Sequence, residues 1–279
     1  MGRSDFGIPW EGDRRLTDLD FADDIALTAE SQTTLQDMTT SAETEAGKVG
    51  LRISCQKTKV MQVGDQQTNT NLHISGEPVE NVRQFTYLGS TMTAEGDTDT
   101  DISARIGKAA SVFRRMNPVW NSGKISRVLK TKLLQSVVIP TALYACETWK
   151  ITTRMRNKLD AFQQRCLRKI LHITYRDRIT NEEVYHRTGT KPLSTTITER
   201  RMRYAGHVLR MTSDRHAKTS VFWKPEGKRK RGRPKLTWRR ALQKDLESKG
   251  ITLKDAESLA EDRTEWRRLA AQCALHGRN

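Results

Sequence analysis

Two adjacent carboxylates, Asp23 and Asp24, are the residues of this chain best suited to chemistry. They sit between two short apolar runs, Leu16 to Phe21 and Ile25 to Leu27. Runs of that length predict two strands, and Asp is favoured in the turn that would join them. Such a turn holds both carboxylates side by side on a stiff hairpin. Like charges so close repel, which favours a cation between them, and Mg²⁺ prefers oxygen ligands of this kind. A solvated turn without a cation is the plainer reading, since turns are rich in Asp.

The neighbouring elements follow from periodicity. Leu35, Met38, Ala42, Ala46 and Val49 recur at helical spacing, with Ser31 to cap the start and Gly50 to follow the end. Leu51 and Ile53 alternate, and Val60 to Val63 reads as a second strand beyond Lys57-Thr58-Lys59. A small hairpin is expected around Ser75-Gly76, with His73 a structural strand residue. Phe85 and Tyr87 share a face of the next strand, and Gly89 allows close backbone approach.

From about Asp97 the period becomes 3.6. Ile102, Ile106, Ala109, Phe113 and Met116 make one stripe, set opposite Arg105, Lys108, Arg114 and Arg115. Ile125, Val128, Leu129, Leu133 and Val137 make the next, entered at Ser122 and stopped near Pro140. Thr141 to Trp149 reads as a buried helix end, and Met155, Leu159, Phe162, Cys166 and Ile170 continue the helical pattern. Thr180 with Glu183 fits a capping box, and Gly189 closes that helix. Further helices are expected around Ile197 to Val208, from Trp238, from Thr252 and around Trp266 to Cys273.

Charge is unevenly spread over the 279 residues, whose formal net charge is +16. Residues 1–100 hold 8 Lys and Arg against 17 Asp and Glu, whereas residues 101–279 hold 41 against 16. A remainder at +25 points to a polyanionic partner. The strongest basic run is Lys228-Arg229-Lys230-Arg231-Gly232-Arg233-Pro234-Lys235. It reads first as a linker holding phosphates, then as a nuclear import signal, and third as a minor-groove reader, since Arg231-Gly232-Arg233-Pro234 resembles an AT-hook core.

Four scattered cysteines without a signal peptide are expected to be reduced thiols in an intracellular protein, nuclear or cytoplasmic. No apolar run is long enough to span a membrane. A zinc site from Cys146, Cys166, His172, His186 and His207 is disfavoured, because no close ligand pair opens the set.

The segment Phe21-Ala22-Asp23-Asp24, flanked by hydrophobic strands, resembles the catalytic palm hairpin of non-LTR (LINE-type, RTE-like) retrotransposon reverse transcriptases. The likeness continues in order through Lys57-Thr58-Lys59-Val60-Met61, Phe85-Thr86-Tyr87-Leu88-Gly89-Ser90 and the Gly-Arg-Pro linker. It implies an α+β fold in four parts: a partial palm over 1–95, thumb-like helices over 96–150, a basic helical region over 151–223, and a basic linker with helices over 224–279. It also implies RNA-directed DNA polymerase chemistry by two-metal nucleotidyl transfer, with Mg²⁺ or Mn²⁺ on Asp23 and Asp24.

By the same resemblance, Lys59 or Lys57 would act near the departing pyrophosphate, and Tyr87, Leu88 and Gly89 would grip the primer. Arg105, Lys108, Arg114, Arg115 and the cations Lys228, Arg229, Lys230, Arg231, Arg233 and Lys235 would hold an RNA template and a DNA primer or target. Only 15 residues precede Leu16, so the resemblance implies a C-terminal fragment without fingers or the earlier palm Asp. Its expected partner is the missing N-terminal part of the polymerase, and alone it is expected to be inactive. The alternative is a nucleic-acid-binding remnant without catalysis.

Overall fold

The computed structural model describes residues 6–64, 70–223 and 236–276. They divide into two units, one reaching Asp97 and including Trp223, the other running from Thr98 to Phe222 and from residue 236 onward. The fold is α+β, with short sheets confined to the first unit and helices filling the second.

In the first unit β1 (Ile8–Glu11) pairs antiparallel with β2 (Arg14–Leu16), and β3 (Asp18–Phe21) pairs with β4 (Asp24–Leu27). Helix α1 (Gln32–Lys48) follows. The Ser31 hydroxyl caps it by accepting from the Thr34 amide, and Gly50 stands just beyond it at φ 77°. The strand expected over residues 60–63 shortens to β5 (Lys59–Val60), which pairs in parallel with β8 (Glu80–Asn81). Between them β6 (His73–Ile74) and β7 (Glu77–Pro78) form the small hairpin around Ser75-Gly76.

The last pair is β9 (Gln84–Tyr87) with β10 (Ser90–Thr93). Val60, Leu72, Ile74 and Val79 make a small core, with Leu35 and Ile53 against it. Gln36 of α1 treats His73 as a strand neighbour, donating to its carbonyl at 2.9 Å and accepting from its amide at 2.8 Å.

The second unit contains α2 (Asp99–Arg115), α3 (Asn117–Asn121), α4 (Arg127–Leu133), a π-helical turn over Leu134–Val138 and α5 (Ile139–Ala142). After a 3₁₀ turn at Cys146–Thr148 come α6 (Thr153–Leu171), a second 3₁₀ turn at Tyr175–Asp177, α7 (Asn181–Thr188) and α8 (Leu193–Leu209). The chain continues through α9 (His216–Phe222), α10 (Trp238–Glu247), α11 (Leu253–Glu261) and α12 (Arg263–His276).

Helix α8 is the spine of this unit. Leu193 and Ile197 belong to a core that takes in Ile102, Leu134, Cys146, Leu159 and Ile170. That core draws on both segments expected as separate, 96–150 and 151–223. One turn further along α8, Met202, Ala205 and Leu209 enter a second core with Leu242, Ala256, Trp266 and Ala270.

The face that α4 buries differs from the expected one. Lys130, Thr131, Leu134 and Val138 face inward, whereas Val128, Leu129 and Val137 are exposed, and the Ser126 hydroxyl rather than Ser122 caps the helix. Pro140 has no N–H for the Ser136 carbonyl, and the Ile139 amide instead reaches back five residues to Leu134. That extra residue per turn shifts the phase of the apolar stripe. Lys130 tolerates burial because its ammonium donates to the Trp120 carbonyl at 2.8 Å.

Candidate catalytic hairpin and nucleic-acid interface

Asp23 and Asp24 sit at the tip of the β3–β4 hairpin, where Phe21 pairs with Asp24 across a two-residue turn. Ala22 has φ 55° while Asp23 does not enter the positive region, the φ signature of a type II′ turn. An L-residue at the first central position costs about 1–3 kcal/mol, so neighbouring contacts must hold the tip in shape. Alternation puts Leu19, Phe21, Asp24 and Ala26 on one face of the ribbon and Asp18, Asp20, Ile25 and Leu27 on the other. Both candidate carboxylates are exposed, and so are Phe21 at 63% and Ile25 at 58%.

The second hairpin tip carries Leu88 and Gly89, at φ 47° and 77°. Positive φ at both central positions is the type I′ arrangement that matches the twist of the flanking strands. Tyr87, the last residue of β9, ties this hairpin to the first. Its hydroxyl donates to the Leu19 carbonyl at 2.9 Å and lies 3.4 Å from the Asp24 carbonyl. Desolvation, followed by the nearby Asp24 and Asp20 carboxylates, raises the phenol above its ordinary value, so it remains a donor at neutral pH. The structure thus brings Asp24 and Tyr87 together.

Lys59 is occupied elsewhere. Its ammonium donates to the Glu80 carboxylate at 2.6 Å and to the Gln56 carbonyl at 2.8 Å. Lys57 is exposed.

In the second unit the exposed cations of α2 are Lys108, Arg114 and Arg115. Arg105 is a correction to the sequence reading, because it is buried. It lies three residues after Ile102 and four before Ala109, on the apolar face. Its guanidinium bonds to the Asp101 carboxylate at 3.1 Å and stacks 4.7 Å over the Tyr144 ring, while the Trp149 indole donates to the same carboxylate. It is a core ion pair and not a contact for phosphate. The run Lys228, Arg229, Lys230, Arg231, Arg233 and Lys235 lies outside the described residues.

The loop between α6 and α7 carries functional candidates that no motif marks. His172 ends α6 in the left-handed region, with the Ile173 amide bonded to the Arg168 carbonyl at 2.9 Å. Within the loop Asp177 accepts from the Thr174 amide at 2.6 Å and from the Thr174 hydroxyl at 2.9 Å. The Arg168 guanidinium spans its far end, reaching the Ile179 carbonyl at 2.8 Å and the Asn181 side chain at 2.9 Å. Tyr175 stands in this ordered loop next to exposed Arg176 and Arg178. The available signal was a tyrosine among cations that belongs to no apolar stripe.

The thiols of Cys146, Cys166 and Cys273 are buried, and desolvation pushes them up to about 11, 12 and 11. Among the described residues no three His, Cys, Asp or Glu side chains converge on one point, and no helix is long and apolar enough to cross a membrane.

The chain matches no protein-family model. It is 26% identical over 268 residues, covering 91% of this chain and 94% of the relative, to a Caenorhabditis elegans protein described as transposon-derived. That likeness along nearly the whole length supports a transposon-related origin for this chain.

Proposed function

We propose that this chain is palm-hairpin and thumb sequence of a non-LTR, RTE-like retrotransposon reverse transcriptase, and that its own activity is to bind template and primer. The observation that supports this most is the pairing of hairpin tips. Two adjacent carboxylates on a strained, exposed turn are joined through Tyr87 to the strand read as a primer grip. The transposon-derived relative agrees with it in kind.

Asp23 and Asp24 offer the hard oxygen donors that suit Mg²⁺ or Mn²⁺. Such an ion would supply charge stabilisation for nucleotidyl transfer. The described residues bring no third carboxylate to the pair. Two carboxylates are few for a two-metal site, so the reading assigns polymerisation to this hairpin only together with further donors. The fragmentary-polymerase reading and the binding-only reading therefore agree on what the purified chain does.

Incubating the full chain with an RNA template, a labelled DNA primer, deoxynucleotides and Mg²⁺ separates them from an autonomous enzyme. Retention of the primer–template without extension is expected. Extension abolished by Asp23→Ala would make the chain a complete polymerase. Failure to retain any nucleic acid would remove the proposal altogether.

A further inference from the structure

The loop between α6 and α7 presents an aromatic ring that folding does not use. Tyr175 is 89% exposed, although Ile173 and Ile179 on either side both pack against the core. Burying a ring of this size is ordinarily favourable by a few kcal/mol, and here the chain tucks in two neighbours while leaving the ring out. The exposure does not come from a slack loop. The Asp177–Thr174 latch, the Arg168 bridge to Ile179 and Asn181, the left-handed end at His172 and the Thr180 cap on α7 fix it at both ends and in the middle.

We propose that this loop is a stacking platform for an unpaired base of single-stranded nucleic acid, with the Tyr175 ring under the base and Arg176 and Arg178 on the adjoining phosphates. The proposal rests on the nucleic-acid-binding reading above and adds the residues that meet a base. Every base has a π-face, so a fixed, exposed ring serves any sequence, while flanking cations track the backbone. The local charge favours this occupant. Arg165, Lys169, Arg176 and Arg178 are all exposed here. The one acid inside the loop, Asp177, is taken up by Thr174, which also lowers its pKa. Because the loop is already ordered, binding has little conformational entropy to remove.

The test uses the full chain and labelled oligonucleotides of about 15 residues, as single-stranded RNA, single-stranded DNA and duplex. Tyr175→Ala removes a ring that packs on nothing, so the fold survives it. It is expected to weaken single-strand binding about five- to a hundredfold while changing duplex binding less than about twofold. Tyr175→Trp retains the affinity, Tyr175→Leu behaves like alanine, and only ring-bearing chains quench a 2-aminopurine base in the strand. A tighter RNA arm would identify a template as the source of the base, and a tighter DNA arm an opened target.

Unchanged single-strand affinity in Tyr175→Ala, with salt-dependent binding otherwise intact, would overturn the platform and leave the broader reading standing. Full affinity in Tyr175→Leu would also overturn it, since a side chain without a π-face would then serve as well as the ring. No binding of any oligonucleotide by the unaltered chain would overturn both.

Discussion

The Tyr87 hydroxyl donates to the Leu19 carbonyl at 2.9 Å, joining the strand that ends in Leu88-Gly89 to the hairpin that carries Asp23 and Asp24. Both hairpins are two-stranded ribbons, and such ribbons are marginal by themselves. The bond therefore matters more to position than to total stability. Tyr87→Phe should cost about 0.5–1.5 kcal/mol and speed amide exchange across residues 19–26 beyond that of other loops. Exchange at those amides unchanged from wild type would show that other contacts hold the hairpin.

The same phenol gives a pH prediction. Its folded pKa lies above the ordinary value of 10.0. Its contribution is therefore fully present below that value and is lost as pH rises through the higher, folded one. Ultraviolet titration should show Tyr87 and Tyr204 ionising late, and the component lost in Tyr87→Phe should move part of the way down in Asp20→Asn/Asp24→Asn, with desolvation holding the remainder. A Tyr87 component that ignores both substitutions would show that the two carboxylates do not contribute to its shift.

Arg201 on α8 is fully buried and bonds to Asp245 on α10 at 2.9 Å through Nε, with Arg156 3.7 Å from the same carboxylate. Removing one partner strands a charge in the core. Asp245→Ala should cost about 3–5 kcal/mol in denaturant unfolding, whereas Arg201→Met with Asp245→Leu should cost much less. Equal losses in the two variants would contradict a stranded-charge origin.

Close packing just over one turn further along α8 yields a substitution with the unexpected sign. Gly206→Ala would normally favour a helix by up to about 1 kcal/mol. A Cβ there would overlap the Trp266 indole, which is fixed by its bond to the Met202 carbonyl at 2.7 Å. Net destabilisation of about 1–3 kcal/mol is expected by thermal unfolding, and a gain in Tm would show that α12 moves aside.

What the sequence disclosed depended on whether local signals were in conflict. The apolar stripe of helix α6 was legible, since Met155, Leu159, Phe162, Cys166 and Ile170 are all buried, whereas the buried Gln163, Gln164 and Leu167 beside it were not. Ser31, Gly50, Thr180 and Gly189 announced their caps, because the chemistry of a cap lies within four residues, although only the Thr180 half of the expected capping box forms and the Glu183 carboxylate goes to Arg187 instead. The phase of α4 was hidden, because a π-turn set by Pro140 cannot be seen in a stripe that assumes 3.6 residues per turn. Arg105 misled for a related reason. Its spacing from Ile102 and Ala109 placed it on the apolar face, but a charge there needs the Asp101 carboxylate, Tyr144 and Trp149, and the last two are remote in sequence. At the candidate site the Asp-Asp tip was legible, but its tie to Tyr87 spans 68 residues and became visible only in the fold.

A nucleic-acid interface on this chain is measured by the salt dependence of its binding to an RNA–DNA template–primer. Lys108, Arg114 and Arg115 stand exposed along α2, and each phosphate contact adds about 0.9 to the slope of log K against log salt. A steep negative slope is expected for the full chain, reduced by up to about 3 in Lys108→Ala/Arg114→Ala/Arg115→Ala, with the fold intact by circular dichroism. A flat slope, or one that the triple variant leaves unchanged, would contradict a nucleic-acid interface on this helix.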